Sequence, residues 1–362
     1  MIVCSNCRKP YPDTGVPYCC PDCGGLYDYA PFPSFNKDGL QPSQSGIWCY
    51  QEMLGLPDHA APVSLGEGNT PLVWAEFFGR KVALKCEVQN PTGSFKDRGS
   101  ATLVSFLQSR QVSEAVEDSS GNAGASFAAY TARAGIRARV FVPESASGPK
   151  RAQIEAYGAQ VERIPGPRSN AAEAVRRAAA RGAVYGSHAY LPFNLPGYAT
   201  LAYELVEQLG EAPGAVILPA GQGGLLLGVG RGLQAMQQAG VIAKMPPLVG
   251  VQARACAPLW ATFSYGLAGL QFVTEGATVA EGIRVKTPLR GDAVLQIVEA
   301  SGGSFTAVDE GDILSGRDQL AHRGFYVETT SAVVWKALEQ LAEGLPDPIV
   351  LVLTGSGLKN SS

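Results

Sequence analysis

Short runs rich in Val, Ile and Leu alternate along this chain with segments of helical character. The predicted strands occupy residues 81–88, 115–118, 137–142, 160–164, 215–219, 248–251 and 349–353. The predicted helices begin near Phe95, Ala123, Pro149, Asn170, Tyr198, Leu225, Asp292, Glu310 and Ser331. Apolar strands that alternate with helices favour an α/β fold, in which a twisted, mostly parallel sheet is covered on both faces. Ligands of such folds bind where strands end and helices start, so these junctions hold the candidate site residues.

Length and composition narrow the class of protein. The 362 residues exceed one usual domain, and a hydrophobic content of 46% with 17% charged residues predicts a globular protein with a sizeable core. The formal net charge is -3 and no basic face stands out, which argues against a nucleic-acid partner. No apolar run has the length of a membrane span, and the N-terminus lacks a signal-peptide core. We therefore expect a cytoplasmic protein without membrane or nucleic-acid partners.

Four cysteines near the N-terminus have the spacing of a structural zinc site. Cys4 and Cys7 form one Cys-x-x-Cys pair, and Cys20 and Cys23 form a second. Two such pairs supply four thiolates to a tetrahedral Zn²⁺, and disulfides are disfavoured in a chain without a secretion signal. The adjacent Cys19 leaves open whether it or Cys20 is the ligand.

One lysine, Lys96, stands where a turn meets a predicted helix. In the segment Asn90-Pro-Thr-Gly-Ser-Phe-Lys-Asp-Arg-Gly99, Pro91, Gly93 and Ser94 favour a tight turn ahead of it. An amine at a helix start lies near the positive end of the helix dipole, which favours its neutral form. A neutral amine is the form that condenses with an aldehyde cofactor. Lys96 is therefore a candidate for covalent catalysis, and a solvated lysine after a turn is the alternative.

Three further turns follow predicted strands. Ser119-Ser-Gly-Asn-Ala-Gly124 and Pro219-Ala-Gly-Gln-Gly-Gly224 each lie between a strand and a helix, and Leu353-Thr-Gly-Ser-Gly357 follows the last strand. Glycines at such turns let backbone amides approach a ligand, and helix starts attract anions. Taken singly, each motif is also compatible with an ordinary tight turn.

In this order, the four segments resemble those of the fold-type II pyridoxal-phosphate enzymes, and the Lys-Asp-Arg-Gly ending is similar to that of the threonine synthases. The resemblance extends over most of the chain from about Glu67, and many bacterial and archaeal synthases carry a similar N-terminal cysteine ribbon. It implies a zinc ribbon and linker over residues 1–45, a large cofactor-binding domain over 46–100 with 190–362, and a small domain over 101–189. A homodimer that acts on a small amino-acid substrate is implied as well.

The resemblance also implies a role for each matched residue. Lys96 would condense with the aldehyde of pyridoxal phosphate and then act as the general base at the substrate Cα. The other cofactor contacts would be Asn122 at the ring hydroxyl, Gly221, Gln222, Gly223, Gly224 and Leu225 at the phosphate, and Thr354 at the pyridine nitrogen. The substrate carboxylate would be held by Ser119, Ser120 and Ala123. Ser331, in the family-like segment 328–332, lies near the ring nitrogen or starts a helix, and the resemblance leaves this open.

Different features of the chain favour different reactions. The ribbon and the Lys-Asp-Arg-Gly motif favour a threonine synthase, which expels phosphate from O-phospho-L-homoserine and adds water to give L-threonine. The Gly-Gln-Gly-Gly loop and the apolar Leu195 and Tyr198 favour an L-threonine or L-serine ammonia-lyase. A β-replacement enzyme such as a cysteate or cysteine synthase, and a non-catalytic cofactor- or zinc-binding protein, are further alternatives. A substrate phosphate needs charged donors, for which the candidates are Lys150, Arg151, Arg168, Arg254 and Arg284.

The chain has only three histidines, His59, His188 and His322. They are scattered along the sequence, so no Ser/His/Asp arrangement is predicted. We expect surface or core positions for all three.

Overall fold

The computed structural model describes residues 1–146 and 148–359. Contacts within the chain divide it into two compact units. Unit 1 comprises Met1–Gly68, Lys96–Gly197 and Lys359, and unit 2 comprises Asn69–Phe95 and Tyr198–Leu358. The large and small domains implied by the resemblance stay a prediction.

Strands and helices alternate along the chain. The strands are β1 (Ile2–Cys4), β2 (Tyr27–Tyr29), β3 (Leu72–Phe77), β4 (Arg80–Lys85), β5 (Glu114–Glu117), β6 (Arg137–Pro143), β7 (Gln160–Ile164), β8 (Val184–Tyr185), β9 (Ala215–Pro219), β10 (Leu248–Ala253), β11 (Ser304–Val308) and β12 (Ile349–Val352). The helices are α1 (Lys96–Ser109), α2 (Asn122–Ala134), α3 (Pro149–Ala156), α4 (Arg168–Ala180), α5 (Leu195–Leu209), α6 (Gly224–Gln238), α7 (Pro258–Tyr265), α8 (Gly291–Ala300), α9 (Glu310–Ala321) and α10 (Thr329–Leu341).

Unit 1 contains a four-stranded parallel sheet in the order β7-β6-β5-β8. Successive residues of β5 face opposite sides, so that Ala115 packs in the core formed with α1 and α2 while Val116 packs with α4. Val116 lies opposite Tyr185 of β8. Because parallel strands end at the same edge of a sheet, the loops that follow β5 and β8 emerge side by side.

Unit 2 contains a six-stranded sheet in the order β11-β10-β9-β12-β4-β3. All neighbours are parallel except β3, which is antiparallel to β4. Strands β9 and β12 are buried along their whole length, as is typical of central strands covered by helices on both faces. The edge strand β3 exposes Val73 and Trp74.

The predicted strand–helix alternation is confirmed, and every predicted strand and helix has a counterpart within a few residues. Three of the strands in the two larger sheets, β3, β8 and β11, were not predicted, nor was α7. Strand β3 is half exposed and β8 has two residues, so their extended backbone depends on pairing with neighbours that the local sequence does not reveal. No helix in residues 1–146 and 148–359 is long and apolar enough to cross a membrane.

The N-terminal ribbon of unit 1 is formed by β1 and β2, which pair antiparallel. Beside them, the ring of Tyr11 lies 4.7 Å from Tyr27, 6.0 Å from Phe106 of α1 and 5.2 Å from Phe193, each in an edge-to-face arrangement. Phe106 and Phe193 stack on one another with their centroids 3.5 Å apart. These aromatic contacts fasten the ribbon to α1.

A buried ion pair joins β4 to α5 within unit 2. Lys85 Nζ lies 2.7 Å from Glu204 Oε2, and the two side chains are 0% and 5% exposed. The ammonium also donates to the carbonyl of Thr70 at 2.8 Å and to Gln208 Oε1 at 2.9 Å, while Glu204 Oε1 accepts from the N–H of Asn69 at 2.7 Å. All three donors of the ammonium are therefore satisfied, as a buried charge requires.

The segment at which the family resemblance begins also contains a buried carboxylate, Glu67. Its Oε1 accepts from Trp48 Nε1 at 2.6 Å, and its Oε2 accepts from the Tyr130 hydroxyl at 2.6 Å and from the N–H of Leu65 at 2.9 Å. Burial raises the pKa of Tyr130 well above its usual range, with Asp97 and Glu67 adding to the rise, so its hydroxyl stays a donor. Glu67 thus has a structural role in unit 1.

Candidate active site and metal centre

Lys96 is the first residue of α1, where the turn ahead of it predicted a helix start. The next two residues, Asp97 and Arg98, are fully buried. The hydroxyl of Ser126 on α2 donates to Asp97 Oδ1 at 2.6 Å. The first turn of α1, and with it the backbone of Lys96, is therefore held against α2.

The loop between β5 and α2 carries four of the predicted residues. These are Ser119 and Ser120 in the loop and Asn122 and Ala123 at the start of α2. The N–H of Gly121 donates to Ser119 Oγ at 3.3 Å. At Gly124, a Cβ would lie 1.8 Å from the carbonyl oxygen of Ser119, so the close packing of the loop on α2 requires glycine. The loop thereby leads directly into a helix start whose first N–H groups can bind an anion.

His188 has a buried carboxylate as its partner, which the sequence did not indicate. His188 Nδ1 lies 2.6 Å from Glu117 Oε1, and the side chains are 20% and 1% exposed. The N–H of Gly186 donates to the carbonyl of Val116 at 2.9 Å, which fixes the loop after β8 beside the end of β5. The only signal in the sequence was an acidic residue directly ahead of Asp118-Ser-Ser-Gly-Asn. Its partner follows 71 positions later, so the pair depends on the order of the strands.

The charge of Lys96 acts on this pair. Burial raises the pKa of Glu117 well above its usual range, Asp118 adds to the rise, and Arg168 and Lys96 oppose it. Burial lowers the pKa of His188, and Lys96 and Arg168 lower it further. All four residues, Lys96, Arg168, Glu117 and His188, belong to unit 1.

Arg168 stands out among the five basic residues considered for a substrate phosphate. It is the first residue of α4, its side chain is 55% exposed, and its Nη2 lies 4.0 Å from Asp118 Oδ2. The other oxygen of that carboxylate, Oδ1, accepts a hydrogen bond from the Tyr185 hydroxyl at 2.6 Å. Arg254 and Arg284 belong to unit 2, where they bind Asp309 and the carbonyl of Glu275, respectively. Arg168 is therefore a candidate whose charge acts on Glu117 and His188.

The glycine loop of unit 2 contains the five residues predicted to bind the cofactor phosphate. They are Gly221, Gln222 and Gly223, between β9 and α6, and Gly224 and Leu225 at the start of α6. A Cβ on Gly221 would lie 2.9 Å from Ile283 Cα. Gly223 has φ +80°, and a Cβ there would lie 2.6 Å from Val294 Cγ2. Close packing and positive φ thus require glycine, and the loop presents N–H groups at a helix start, as phosphate sites do.

The remaining member of the loop, Gln222, has a positioning contact. Its Oε1 accepts from the N–H of Leu289 at 3.0 Å. Its side-chain carbonyl therefore ties the glycine loop to the segment before α8.

Thr354 follows β12 and is 2% exposed. Its N–H donates to Ser331 Oγ at 2.8 Å, and its carbonyl accepts from the N–H of Phe95 at 3.0 Å. Ser331 lies in the first turn of α10, so it belongs to a helix start and also holds Thr354 in place. The hydroxyl oxygen of Thr354 is buried and has no hydrogen-bond partner within the described parts of the chain. Since buried hydroxyls are normally bonded, this atom fits a polar ligand such as a pyridine nitrogen.

The region of Leu195 and Tyr198, which favoured an ammonia-lyase in the sequence, is buried. Leu195 and Tyr198, in the first turn of α5, are 1% and 2% exposed. Within unit 2, the ring of Tyr198 lies 5.3 Å from that of Phe95. A Cβ on Gly224 would lie 3.7 Å from Tyr198 Cε2. Tyr198 therefore packs against the glycine loop.

The sulfurs of Cys4, Cys7, Cys20 and Cys23 lie within 4.8 Å of one another. Within the cluster, Cys4 Sγ lies 3.5 Å from Cys23 Sγ, and Cys7 Sγ lies 3.7 Å from Cys20 Sγ. A tetrahedral Zn²⁺ with Zn–S bonds of about 2.3 Å places its sulfurs about 3.8 Å apart, which matches this spacing. Cys19 is not a member of the cluster, so Cys20 is the fourth candidate ligand.

Comparison with known proteins places this chain among pyridoxal-phosphate enzymes. Residues 63–355 match the model of the pyridoxal-phosphate dependent enzyme family. The chain is 34% identical to the threonine synthase of Methanocaldococcus jannaschii over 99% of this chain and 92% of that protein. It is 33% identical to the threonine synthase of Mycobacterium bovis over 88% of this chain and 90% of that protein.

Solved structures show the same fold. The T.th. threonine deaminase has a TM-score of 0.69 at 27% identity, over 81% of this chain and 94% of that chain. Maize serine racemase also has a TM-score of 0.69, at 23% identity, over 81% of this chain and 90% of that chain. The predicted fold class and the resemblance drawn from the four motifs are thereby confirmed.

Proposed function

Since the chain belongs to the family of pyridoxal-phosphate-dependent enzymes, we propose that it is a threonine synthase, which converts O-phospho-L-homoserine and water into L-threonine and phosphate. The observation that carries this proposal is the extent of the match to the Methanocaldococcus jannaschii synthase. It covers 99% of the chain and so includes the cysteine ribbon as well as the cofactor motifs. The fold by itself does not select the reaction, because deaminases and racemases share it.

The residues present fit pyridoxal phosphate. Two features support this: the buried, unpartnered hydroxyl of Thr354 and the glycine loop, in which side chains at Gly221 and Gly223 would collide with their neighbours. The bound cofactor would supply an aldehyde for amines and a ring that withdraws electrons from the substrate Cα. The N–H groups of residues 221–225 would hold its phosphate. Thr354 would donate to the pyridine nitrogen, which a hydroxyl leaves neutral and a carboxylate would keep protonated.

Residues of unit 1 would handle the substrate. The amine of Lys96 would hold the cofactor through its aldehyde and, when free, would take the Cα proton as general base. The substrate carboxylate binds to the N–H groups and hydroxyls of Ser119, Ser120 and Ala123, where the start of α2 favours an anion. Asn122 orients the cofactor ring through its amide side chain.

We assign the phosphate of the substrate to Arg168. A dianionic phosphate needs a charge-assisted donor, and the guanidinium of Arg168 is half exposed and only weakly paired, 4.0 Å from Asp118. Its charge acts on the same pair of residues as that of Lys96. Both observations support a phosphate position near the reacting end of the substrate.

The test is an assay of the purified, cofactor-loaded protein with O-phospho-L-homoserine, in which phosphate and threonine are measured together. Equimolar release of both is expected, and Lys96→Ala should abolish it together with the absorbance of the lysine-bound cofactor. Arg168→Ala should raise KM for the substrate about 10-fold or more and leave cofactor affinity unchanged. The matched control is Arg177→Ala, on the same helix, where the guanidinium is 57% exposed and bound to Glu173. A yellow, active Lys96 variant would contradict the proposal.

A second candidate, an L-threonine or L-serine ammonia-lyase, is favoured by the packing of Tyr198 against the glycine loop and by the 27% identity to a threonine deaminase. The same preparation decides between the two. Release of ammonia and a keto acid from L-threonine, without phosphate release from O-phospho-L-homoserine, would establish the lyase.

We also propose that Cys4, Cys7, Cys20 and Cys23 bind a structural Zn²⁺. Four sulfurs at tetrahedral spacing leave no open position for a reacting group, which supports a structural role.

A further inference from the structure

A histidine and a carboxylate lie within hydrogen-bond distance of one another beside the loop that carries Ser119 and Asn122, and none of the roles assigned above uses them. Glu117 Oε1 and His188 Nδ1 are 2.6 Å apart. The other carboxylate oxygen, Glu117 Oε2, is buried without a hydrogen-bond partner among the described residues. The backbone of His188 is fixed by Asn194, whose Nδ2 donates to the backbone carbonyl of His188 at 2.7 Å.

The pair is arranged to keep one proton. Burial favours the neutral carboxyl of Glu117 and the neutral ring of His188. It therefore raises the pKa of Glu117 and lowers the pKa of His188. A separation of 2.6 Å requires a proton between the two atoms. When that proton lies on Glu117 and Nδ1 accepts it, the other ring nitrogen, Nε2, carries the hydrogen of the neutral imidazole.

The charged groups around the pair favour the loss of that proton. Asp118 adjoins Glu117, and the positive charges of Lys96 and Arg168 act on both members. Two cations against one further carboxylate stabilise the state in which the pair has given a proton away. The side chain of His188 is 20% exposed and that of Glu117 is 1% exposed. A ligand could therefore reach the pair only through His188.

We propose that Glu117 and His188 form a second acid–base group beside the loop that follows β5, in addition to Lys96, with His188 as the catalytic residue that exchanges protons with the substrate and Glu117 as its positioning residue. This inference rests on the proposed function. Loss of a Cβ proton supplies the electron pair of a new Cβ–Cγ double bond as the Cγ–O bond breaks. The proton on Nε2 passes to an oxygen of the departing phosphate, which leaves with the electron pair of the Cγ–O bond. The carboxyl proton of Glu117 then moves to Nδ1.

The second half of the cycle restores the pair. When water adds to Cβ, its oxygen forms the new C–O bond and its proton passes to Nε2, while Nδ1 returns its proton to Glu117. One proton leaves the pair and one returns, so the proton from water ends on the phosphate and no other reactant is needed. Lys96 remains responsible for the proton at Cα and also carries the Cβ proton to Cγ, which becomes the methyl carbon of L-threonine.

The experiment separates the Lys96 step from the later steps. In D₂O, exchange of the substrate α-proton reports on Lys96, and release of phosphate reports on the full reaction. For His188→Gln we expect phosphate release to fall at least about 100-fold while α-proton exchange stays within about 3-fold of wild type. Glu117→Gln should lower phosphate release by a smaller factor and should likewise leave α-proton exchange almost unchanged. His322→Gln, at an exposed histidine, is the matched control and should change neither rate.

A second readout does not depend on turnover. Nitrogen NMR of histidine-labelled protein without cofactor should show that His188 is the neutral tautomer with hydrogen on Nε2. It should remain neutral below the pH, about 6.5, at which an exposed model histidine becomes charged. Glu117→Gln should alter the tautomer balance or the titration of His188. A His188 that titrates like an exposed histidine would overturn the proposal, and so would an equal fall of exchange and release in His188→Gln.

Failure of the proposed function is distinguishable from failure of this inference. If the wild type releases no phosphate but converts L-threonine, the proposed reaction is wrong. The same comparison then uses α-proton exchange against keto-acid release, since the expelled hydroxyl also needs a proton. Unequal loss of the two rates would still support the pair, and equal loss would overturn it.

Discussion

Replacement of Lys85 by Met should destabilise unit 2 more than most single substitutions. Methionine fills the volume of the aliphatic stem but removes the ammonium, so Glu204 loses its counter-charge while it keeps the N–H of Asn69 as a donor. The carbonyl of Thr70 still accepts from Gln208 Nε2 at 2.9 Å, so the damage is concentrated on the buried carboxylate. Breaking a buried pair by removing one partner lowers the free energy of unfolding by about 3–5 kcal/mol.

This loss corresponds to a measurable fall in melting temperature. For a unit of this size, each kcal/mol shifts Tm by about 2–4 °C, so Lys85→Met should melt about 6–20 °C below wild type in calorimetry. The double variant Lys85→Met/Glu204→Gln should recover most of the difference. Its glutamine is uncharged and still offers an oxygen to the N–H of Asn69.

Lys336→Met is the matched control on the same unit. Lys336 lies 2.7 Å from Glu339, but the side chains are 27% and 45% exposed, so its loss should leave Tm almost unchanged. A fall of less than about 2 °C for Lys85→Met would refute the reasoning, because a fully buried charge cannot lose its partner without a large penalty. A double variant as unstable as the single one would show that packing, and not the unpaired charge, is responsible.

Three further predictions concern metal, backbone and thiol. Cys7→Ser should lose the zinc ion found by elemental analysis and lower Tm, whereas Cys19→Ser should keep both; equal zinc content in the two variants would contradict the assigned ligands. Gly223→Ala should weaken cofactor binding in a fluorescence titration more than Gly240→Ala, because both glycines have positive φ but only the first would collide with a side chain. Burial raises the pKa of Cys86 to about 11, so this thiol should react with a disulfide reagent at pH 8 only after unfolding. Because the pKa is raised in the folded state, the thiol's contribution to stability is present below the ordinary pKa of 9.0 and is lost as the pH rises through about 11. The melting temperature of Cys86→Ser should therefore fall less than that of wild type over this alkaline range.

Much of the candidate site could be predicted because its residues lie in local strand–turn–helix segments. Lys96, Asn122 and Gly224 each begin a helix or stand within one residue of a predicted helix start, and the turn chemistry ahead of them is readable from the sequence. Their shared order along the chain identified the cofactor. The roles of these side chains stay predictions, to be tested by the variants above.

The partner of Glu117 could not be predicted in the same way. His188 reaches it only because β8, a strand of two residues, pairs with β5 and not with another edge of the sheet. Nothing in the local sequence specifies that neighbour. The choice of Cys20 over Cys19 is similar, since spacing allowed either and only the ribbon backbone places one sulfur with the other three.

The seating of Tyr11 on Phe106 and Phe193 constrains how this architecture can change over time. The ribbon covers part of the aromatic stack on the helix that begins with Lys96. A descendant that lost residues 1–45 would expose those rings to water, with the consequences for solubility that a new apolar patch brings. Loss of the ribbon would therefore have to be accompanied by smaller or polar residues at positions 106 and 193, or by a different covering segment. Those two positions should distinguish ribbon-bearing lineages from ribbon-free ones even where the cysteines themselves have disappeared.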